Sequence, residues 1–170
     1  MDVMKAIENR YSCRAYLPKP VEKDKLMRIL EAARLAPSAR NLQDWRFVVV
    51  TDQQKRTALA QASYNQAFVA QAPVVIAACS VSSYIMRCGQ PVAPIDVSIA
   101  LEHMALEAVE LGLATCWIGS FMPHEVRKIL QIPTDAVVVE LLTLGYPADE
   151  FKSPARVPLE KIACFETWSF

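Results

Sequence analysis

The sequence predicts one domain that mixes helices and strands, and three observations lead to that prediction. Amphipathic helical stripes alternate with short β-branched runs along the chain. The length of 170 residues suits a single domain, 1–170. No Gly/Ser-rich linker and no internal repeat divides the chain.

The N-terminal part predicts two helices separated by an extended link. Asp2 can cap the first helix, whose pattern breaks near residues 11–13. Pro18 and Pro20 mark the link. A second helix runs from about Val21 and ends before a proline. Its apolar stripe consists of Leu26, Ile29, Leu30 and Ala33.

Four apolar runs are short enough and sufficiently rich in aromatic or β-branched residues to predict strands. They are residues 45–51, 74–78, 114–118 and 137–142. Asp52 follows the first run and predicts the N-cap of a helix. Pro123 follows the third and predicts the first residue of another helix.

Residues 96–111 predict a helix that is apolar on most faces, closed by Gly112. In a domain of this size such a helix lies at the centre or is shared with a second subunit. The C-terminal tail is also apolar but too short to build its own core. Its apolar residues are Ile162, Phe165, Trp168 and Phe170. Together these features predict an isologous dimer.

Charge, cysteine and histidine counts exclude several classes of function. The 18 basic residues balance 18 acidic ones, so we expect no nucleic-acid partner. No apolar run approaches the length of a membrane span and no secretory signal opens the chain, so we expect a cytoplasmic protein without membrane association. Five scattered cysteines and two separate histidines predict neither a disulfide framework nor a metal site.

Only four glycines occur, and their positions exclude the glycine-rich nucleotide-binding loops. The sequence contains neither GxGxxG nor GxxxxGK[ST], and it also lacks GxSxG. A bound phosphate would therefore have to be held by arginines, hydroxyls and helix ends.

Three segments in order resemble the FMN-dependent nitroreductase family. Residues 10–14 read R-x-S-x-R, residues 36–45 read A-P-S-x-x-N-x-Q-x-W, and residues 112–119 read G-L-x-T-x-W-I-G. The likeness continues through residues 144–147 to 156–160. The resemblance implies an α+β fold, with a mixed but mainly antiparallel sheet flanked by helices. It also implies an intertwined homodimer that holds FMN at its interface.

The resemblance implies that the first segment holds the FMN phosphate and ribityl chain through Arg10, Tyr11, Ser12 and Arg14. Two guanidinium groups and a hydroxyl suit a dianionic phosphate. Without the resemblance, the favoured interpretation is that both arginines are solvated charges at a helix end. Arg156 matches a C-terminal arginine that reaches the same phosphate. Lys152 is a candidate substitute for a lysine that the family often carries where this chain has a proline.

The other two segments would complete the site. The second corresponds to the loop that reaches the flavin from the other subunit, although its residue types also suit an ordinary turn. Asp44 replaces a proline common in the family, which puts the rigidity of this loop in doubt. Without the resemblance, composition favours the interpretation of Trp117 as a core aromatic. The site residues expected from these two segments are Pro37, Ser38, Ala39, Asn41, Gln43, Trp117, Ile118 and Gly119.

The implied activity is reduction of a nitroaromatic, quinone or similar acceptor by NADH or NADPH in a two-electron ping-pong cycle. The chemistry would take place on FMN, so we expect no catalytic side chain. Two alternatives stay open: a specialised flavin-dependent dehydrogenase or dehalogenase of one metabolite, and a non-catalytic FMN-binding protein.

Overall fold

The computed structural model describes residues 2–150 and 155–170. Six helices are α1 (Val3–Asn9), α2 (Lys23–Arg34), α3 (Gln53–Ala62), α4 (Ala67–Gln71), α5 (Val92–Glu110) and α6 (Pro123–Leu130). Four strands are β1 (Trp45–Val50), β2 (Val74–Ser80), β3 (Ala114–Ile118) and β4 (Val137–Gly145). Two single 3₁₀ turns cover Ala39–Asn41 and Leu159–Lys161. These elements belong to the part of the chain that is described.

The four strands form one antiparallel sheet in the order β1-β2-β4-β3. The register aligns Val48 with Ala77 and Ile118 with Leu141, and a bulge interrupts β2 after Ala78. β3 is an edge strand, and residues 11–14 lie beside it. A parallel bridge joins Ser12 to Thr115 there. The α+β fold implied by the resemblance is confirmed, and the N-terminal segment lies along the open edge of the sheet.

Helices cover both faces of the sheet, and a separate set of helices forms the core on each face. On one face α5 crosses the strands and packs against α2, with Leu101 and Met104 fully buried. On the other face α3, α4 and α6 enclose Leu59, Val126 and Leu141. Full burial of one such side chain contributes about 1.5–3 kcal/mol, so the two layers hold the helices firmly against the sheet.

Local signals in the sequence explain where the helices begin and end. The carboxylate of Asp2 accepts a hydrogen bond from the backbone N–H of Lys5, and Asp52 accepts one from Lys55 at 2.9 Å. Gly112 has a φ of +71° directly after α5, a left-handed conformation that glycine adopts without strain. The capping residues expected from the sequence are confirmed.

Among the exposed apolar side chains are two groups that lie close together in sequence, one on α1 and one in the C-terminal segment. The outer face of α1 exposes Val3, Met4 and Ile7. In the C-terminal segment Phe165 and Trp168 are 88% and 84% exposed. The tail therefore does not pack on the body of its own chain. None of the described helices is both long enough and apolar enough to cross a membrane.

Candidate functional site

An open cavity of about 440 Å³ lies beside the edge strand β3 and gathers the predicted phosphate-binding residues. Its lining consists of Arg10, Tyr11, Ser12, Arg14, Asp149, Glu150 and Arg156. The structure thus places the C-terminal Arg156 beside the N-terminal segment. Lys152 lies outside the described residues.

The backbone after α1 explains why these side chains converge. The helix ends at Asn9, and its C-cap residue Arg10 has an extended backbone with φ of −69° and ψ of 125°. Beyond it the chain runs alongside β3, where the backbone N–H of Cys13 donates to Thr115 at 3.0 Å. Successive side chains of an extended segment point to opposite sides. The alternation buries Cys13 completely and leaves Ser12 and Arg14 exposed.

The cavity holds guanidinium groups that nearby carboxylates neutralise incompletely. The Nε of Arg10 lies 3.8 Å from Oε1 of Glu102, a long ion pair. Within residues 2–150 and 155–170, no ion pair involves Arg14 or Arg156. The Coulombic influence of Arg14 and Arg10 acts to lower the pKa of the buried Cys116 thiol, although burial dominates and raises it.

One carboxylate oxygen of Asp149 accepts hydrogen bonds from neutral donors. The hydroxyl of Tyr11 donates to Oδ1 of Asp149 at 2.9 Å, and Sγ of Cys13 lies 3.3 Å from the same oxygen. Burial and these contacts raise the pKa of Tyr11, and burial raises that of Cys13 to about 11. Both groups are therefore neutral near pH 7, and Cys13 has no nucleophilic thiolate.

The loop between α2 and β1 has a strained conformation held by specific hydrogen bonds. Three of its non-glycine residues have left-handed φ angles: Arg40 at 54°, Asn41 at 57° and Gln43 at 51°. Oγ of Ser38 accepts from the backbone N–H of Gln43 at 3.0 Å. Such strain persists only where the surroundings fix the backbone, and it is common at ligand sites.

Two buried carboxylates anchor this loop. Oδ2 of Asp96, on α5, accepts from the backbone N–H of Ala39 at 3.0 Å. Oδ2 of Asp44 accepts from Oγ of Ser80 at 2.6 Å. Asp96 and Asp44 are 2% and 6% exposed. Asp44 therefore ties the end of the loop to β2.

The loop residues of the described chain do not line the 440 Å³ cavity of that same chain. Ser38 and Ala39 are half-buried, whereas Asn41 and Gln43 are exposed. Pro37 is exposed as well. The side chains of Asn41 and Gln43 are therefore open to a ligand or to another chain. The backbone N–H groups of Ala39, Asn41 and Gln43 already donate within the chain.

At the end of β3 the backbone is more exposed than the side chains. Trp117 is half-buried against the α5 core, whereas Ile118 is 3% exposed and packs in the opposite core. Gly119 is exposed. A Cβ on Gly119 would lie 3.3 Å from Oε1 of Glu140, so the missing side chain leaves room for that carboxyl group. Of the three, Ile118 can meet a ligand only through its backbone.

Several residues of this region were not predicted from the sequence. Asp149 and Glu150 line the cavity, and Glu102 pairs with Arg10. Asp96 anchors the loop, and the carboxyl group of Glu140 lies beside Gly119. Each reaches its place through tertiary packing, and no local motif marks it. A larger cavity of about 660 Å³ contains none of the predicted site residues. Its buried Arg56 donates to the carbonyls of Ala70 and Ala72, so this guanidinium is already satisfied within the chain.

Comparison with known families identifies the chain. The sequence model of the nitroreductase family matches residues 7–69 and 60–146. The chain belongs to the nitroreductase family. A nitroreductase family protein from Clostridium difficile 630 is 34% identical, with a TM-score of 0.89 over 99% of this chain and 100% of the other.

Two further proteins show how far the similarity to other members of the nitroreductase family extends. A protein named NADH dehydrogenase from Thermus thermophilus is 33% identical over 95% of both chains. An FMN-dependent nitroreductase from Clostridium difficile R20291 is 30% identical, with a TM-score of 0.86 over 97% of this chain and 99% of the other. The family expected from the sequence motifs is therefore confirmed.

Proposed function

We propose that this nitroreductase-family protein uses FMN to transfer two electrons from NADH or NADPH to a nitroaromatic, quinone or similar small acceptor. The chain is an NAD(P)H-dependent flavin oxidoreductase with FMN as its cofactor. The observation that carries the assignment to this site is the cavity in which Arg10, Arg14 and Arg156 converge with Ser12.

The chemistry of these donors fits the phosphate end of FMN. Guanidinium groups form paired, charge-assisted hydrogen bonds with phosphate oxygens, and a hydroxyl can donate a further one. Two of the three arginines lack an ion pair among the described side chains, so their positive charge is available to a dianion. Lys152 is proposed as a further cation of this site because it lies four positions before Arg156.

Bound FMN would supply the redox chemistry, a two-electron transfer from the nicotinamide to the second substrate. The chain's own contribution is to bind and orient. Arg10, Ser12 and Arg14 fix the phosphate end, with Tyr11 beside them. We place the flat ring along the exposed backbone at Gly119, where no Cβ stands in the way. The half-buried Trp117 then supports this backbone from the α5 core.

A second copy of the chain would complete the site. The strained loop presents Ser38, Ala39, Asn41 and Gln43, together with Pro37, away from its own cavity, which suits a role toward the FMN held by a partner subunit. Exposed apolar side chains on α1 and in the tail give such a partner a surface to bury. We propose an isologous homodimer with FMN at the interface.

Purified protein is expected to have twice the mass of one chain in solution. Removal of residues 156–170 takes away the exposed Phe165 and Trp168, so the truncated chain should dimerise more weakly. Sedimentation equilibrium of both proteins measures the effect. A native chain that remains monomeric at all concentrations would rule out a shared FMN site.

Flavin binding is the first test of the function. Protein titrated with FMN should reach one flavin per chain and show the yellow absorbance band of a bound flavin, which NADH or NADPH should bleach without oxygen. If flavin binds but neither NADH nor NADPH bleaches its band, the protein is a non-catalytic flavin-binding protein. If no flavin binds at any ratio, the assignment of the arginine cavity is wrong.

Steady-state kinetics then separates the remaining alternatives. A ping-pong cycle gives parallel double-reciprocal plots when NADH is varied at several acceptor concentrations. We expect turnover with both a simple quinone and a nitroaromatic. Negligible turnover with either class, combined with rapid NADH bleaching, would instead indicate a specialised acceptor.

A further inference from the structure

Glu140 on β4 is a half-buried carboxyl group that the proposed cycle has not used. The register of β3 and β4 pairs Ile118 with Leu141, so its continuation places Gly119 opposite Glu140. The carboxyl group fills the space beside this glycine, with Oε1 and Oε2 at 3.3 and 3.7 Å from the position of an added Cβ. On β2 the register partner of Glu140 is the small residue Ala78. The side chain therefore lies toward the exposed backbone at the end of β3.

No described side chain neutralises this carboxyl group. Among residues 2–150 and 155–170, none forms an ion pair or hydrogen bond with the Glu140 side chain. Burial raises the pKa of Glu140, and no other described group contributes to that shift. An unpaired, half-buried carboxyl group is sensitive to any charge that appears beside it.

Other titratable groups near this part of the sheet are already neutral or paired. Cys116 on β3 is within electrostatic range of Glu140, but burial raises the pKa of its thiol. On α5, Asp96 accepts from the backbone of Ala39, and Glu102 faces Arg10. The register partner of Glu140 on β2, Ala78, does not titrate. Among these groups of the described chain, the carboxyl group that lies beside Gly119 without a partner is that of Glu140.

We propose that Glu140 takes up one proton when the flavin beside Gly119 is reduced and gives that proton to the acceptor in the second half of the cycle. The inference rests on the proposed function, which places the flavin ring along the backbone at Gly119. It assigns a proton-holding residue to a site that was expected to have no catalytic side chain.

The balance of atoms requires such a proton. Hydride from NADH brings two electrons and one hydrogen nucleus, so the reduced site gains one negative charge. This charge raises the proton affinity of the adjacent Glu140 carboxylate, which binds one proton from water. A quinone then accepts hydride at one oxygen, and the O–H bond of Glu140 breaks to supply a proton to the other. The sum is NADH, a quinone and one solvent proton converted to NAD⁺ and a hydroquinone.

Proton uptake during anaerobic reduction tests this inference directly. Flavin-loaded protein is mixed with one equivalent of NADH in weak buffer containing a pH indicator, across about pH 5 to 9. The uptake of solvent protons per flavin reduced should approach one in the native protein over part of this range. In Glu140→Gln it should fall by up to one proton over the same range, while flavin content stays unchanged.

Two variants serve as controls. Glu140→Asp keeps a titratable carboxyl group and should retain the uptake, with its pH range shifted. Glu107→Gln removes another partly buried carboxyl group, one that pairs with Arg28 and does not line the arginine cavity, and it should also retain the uptake. Loss of uptake in Glu107→Gln but not in Glu140→Gln would overturn the inference.

The outcomes distinguish this inference from the proposed function. If the native protein binds FMN and NADH bleaches it, but no solvent proton is taken up at any pH, Glu140 has no such role and the function stands. Equal uptake by the native protein and Glu140→Gln also refutes the role of Glu140. Only a failure of flavin binding or bleaching in the native protein counts against the proposed function itself.

Discussion

Replacement of Arg10 and Arg14 together by alanine should weaken FMN binding by about a hundredfold or more. Each guanidinium lost from a phosphate removes charge-assisted hydrogen bonds of about 1.5–3 kcal/mol, and every 1.4 kcal/mol corresponds to a tenfold change in Kd. The fold should persist because neither side chain belongs to the two cores. Fluorescence titration of apoprotein with FMN measures the loss, and thermal unfolding without FMN verifies the fold.

Arg34→Ala is the matched control for this experiment. Arg34 lies in the last turn of α2, where its side chain is 62% exposed and pairs with Glu31 at 2.6 Å. It also removes one guanidinium but lies outside the cavity, so FMN affinity should not change. An equal loss in Arg34→Ala and the double variant would show that net charge, rather than the cavity, governs FMN binding.

The arginine cavity illustrates what the sequence could predict about the site. Arg10, Ser12 and Arg14 alternate within five residues, so their convergence depends only on an extended backbone. Arg156 could be added only through the family resemblance, because its approach depends on where the chain after β4 runs. The cavity residues Asp149 and Glu150 also lie in the chain after β4, and no sequence motif marks them.

The elements of the fold were predicted more closely than the contacts between them. β3 has the bounds expected from its apolar run, whereas β4 continues to Gly145, three residues beyond the expected end. α5 begins at Val92 rather than at Asp96, because Pro94 is tolerated within the first turn of a helix. The short helix α4 was missed, since five residues give no helical period to detect.

The pairing of Glu140 with Gly119 shows why some contacts of the candidate site could not be predicted from the sequence. The two residues are 21 positions apart, and their contact follows from the register between β3 and β4. A glycine beside an expected flavin ring was explained from the ring alone, yet its missing Cβ also makes room for a carboxyl group. Register is a property of the assembled sheet, so a local motif cannot report it.

Asp96→Ala should release the strained loop and weaken FMN binding by about tenfold to a hundredfold. The variant removes the acceptor of the Ala39 N–H, and a hydrogen bond to a charged group contributes about 1.5–3 kcal/mol. Left-handed backbone costs a non-glycine residue about 1–2 kcal/mol, so Arg40, Asn41 and Gln43 should relax once the anchor is gone. FMN titration measures the affinity, and the rate of tryptic cleavage after Arg40 reports the release of the loop.

Two variants separate loop anchoring from a general loss of stability. Asp96→Asn keeps a side-chain oxygen that can accept from Ala39, so it should retain most of the FMN affinity and the slow cleavage. Asp52→Ala removes another carboxylate that accepts a backbone N–H, at 2.9 Å, but at the start of α3. It should cost about 1 kcal/mol of stability and leave FMN binding unchanged. If Asp96→Ala cleaves no faster than the native chain while FMN affinity falls, the carboxylate acts on the ligand directly and not through the loop.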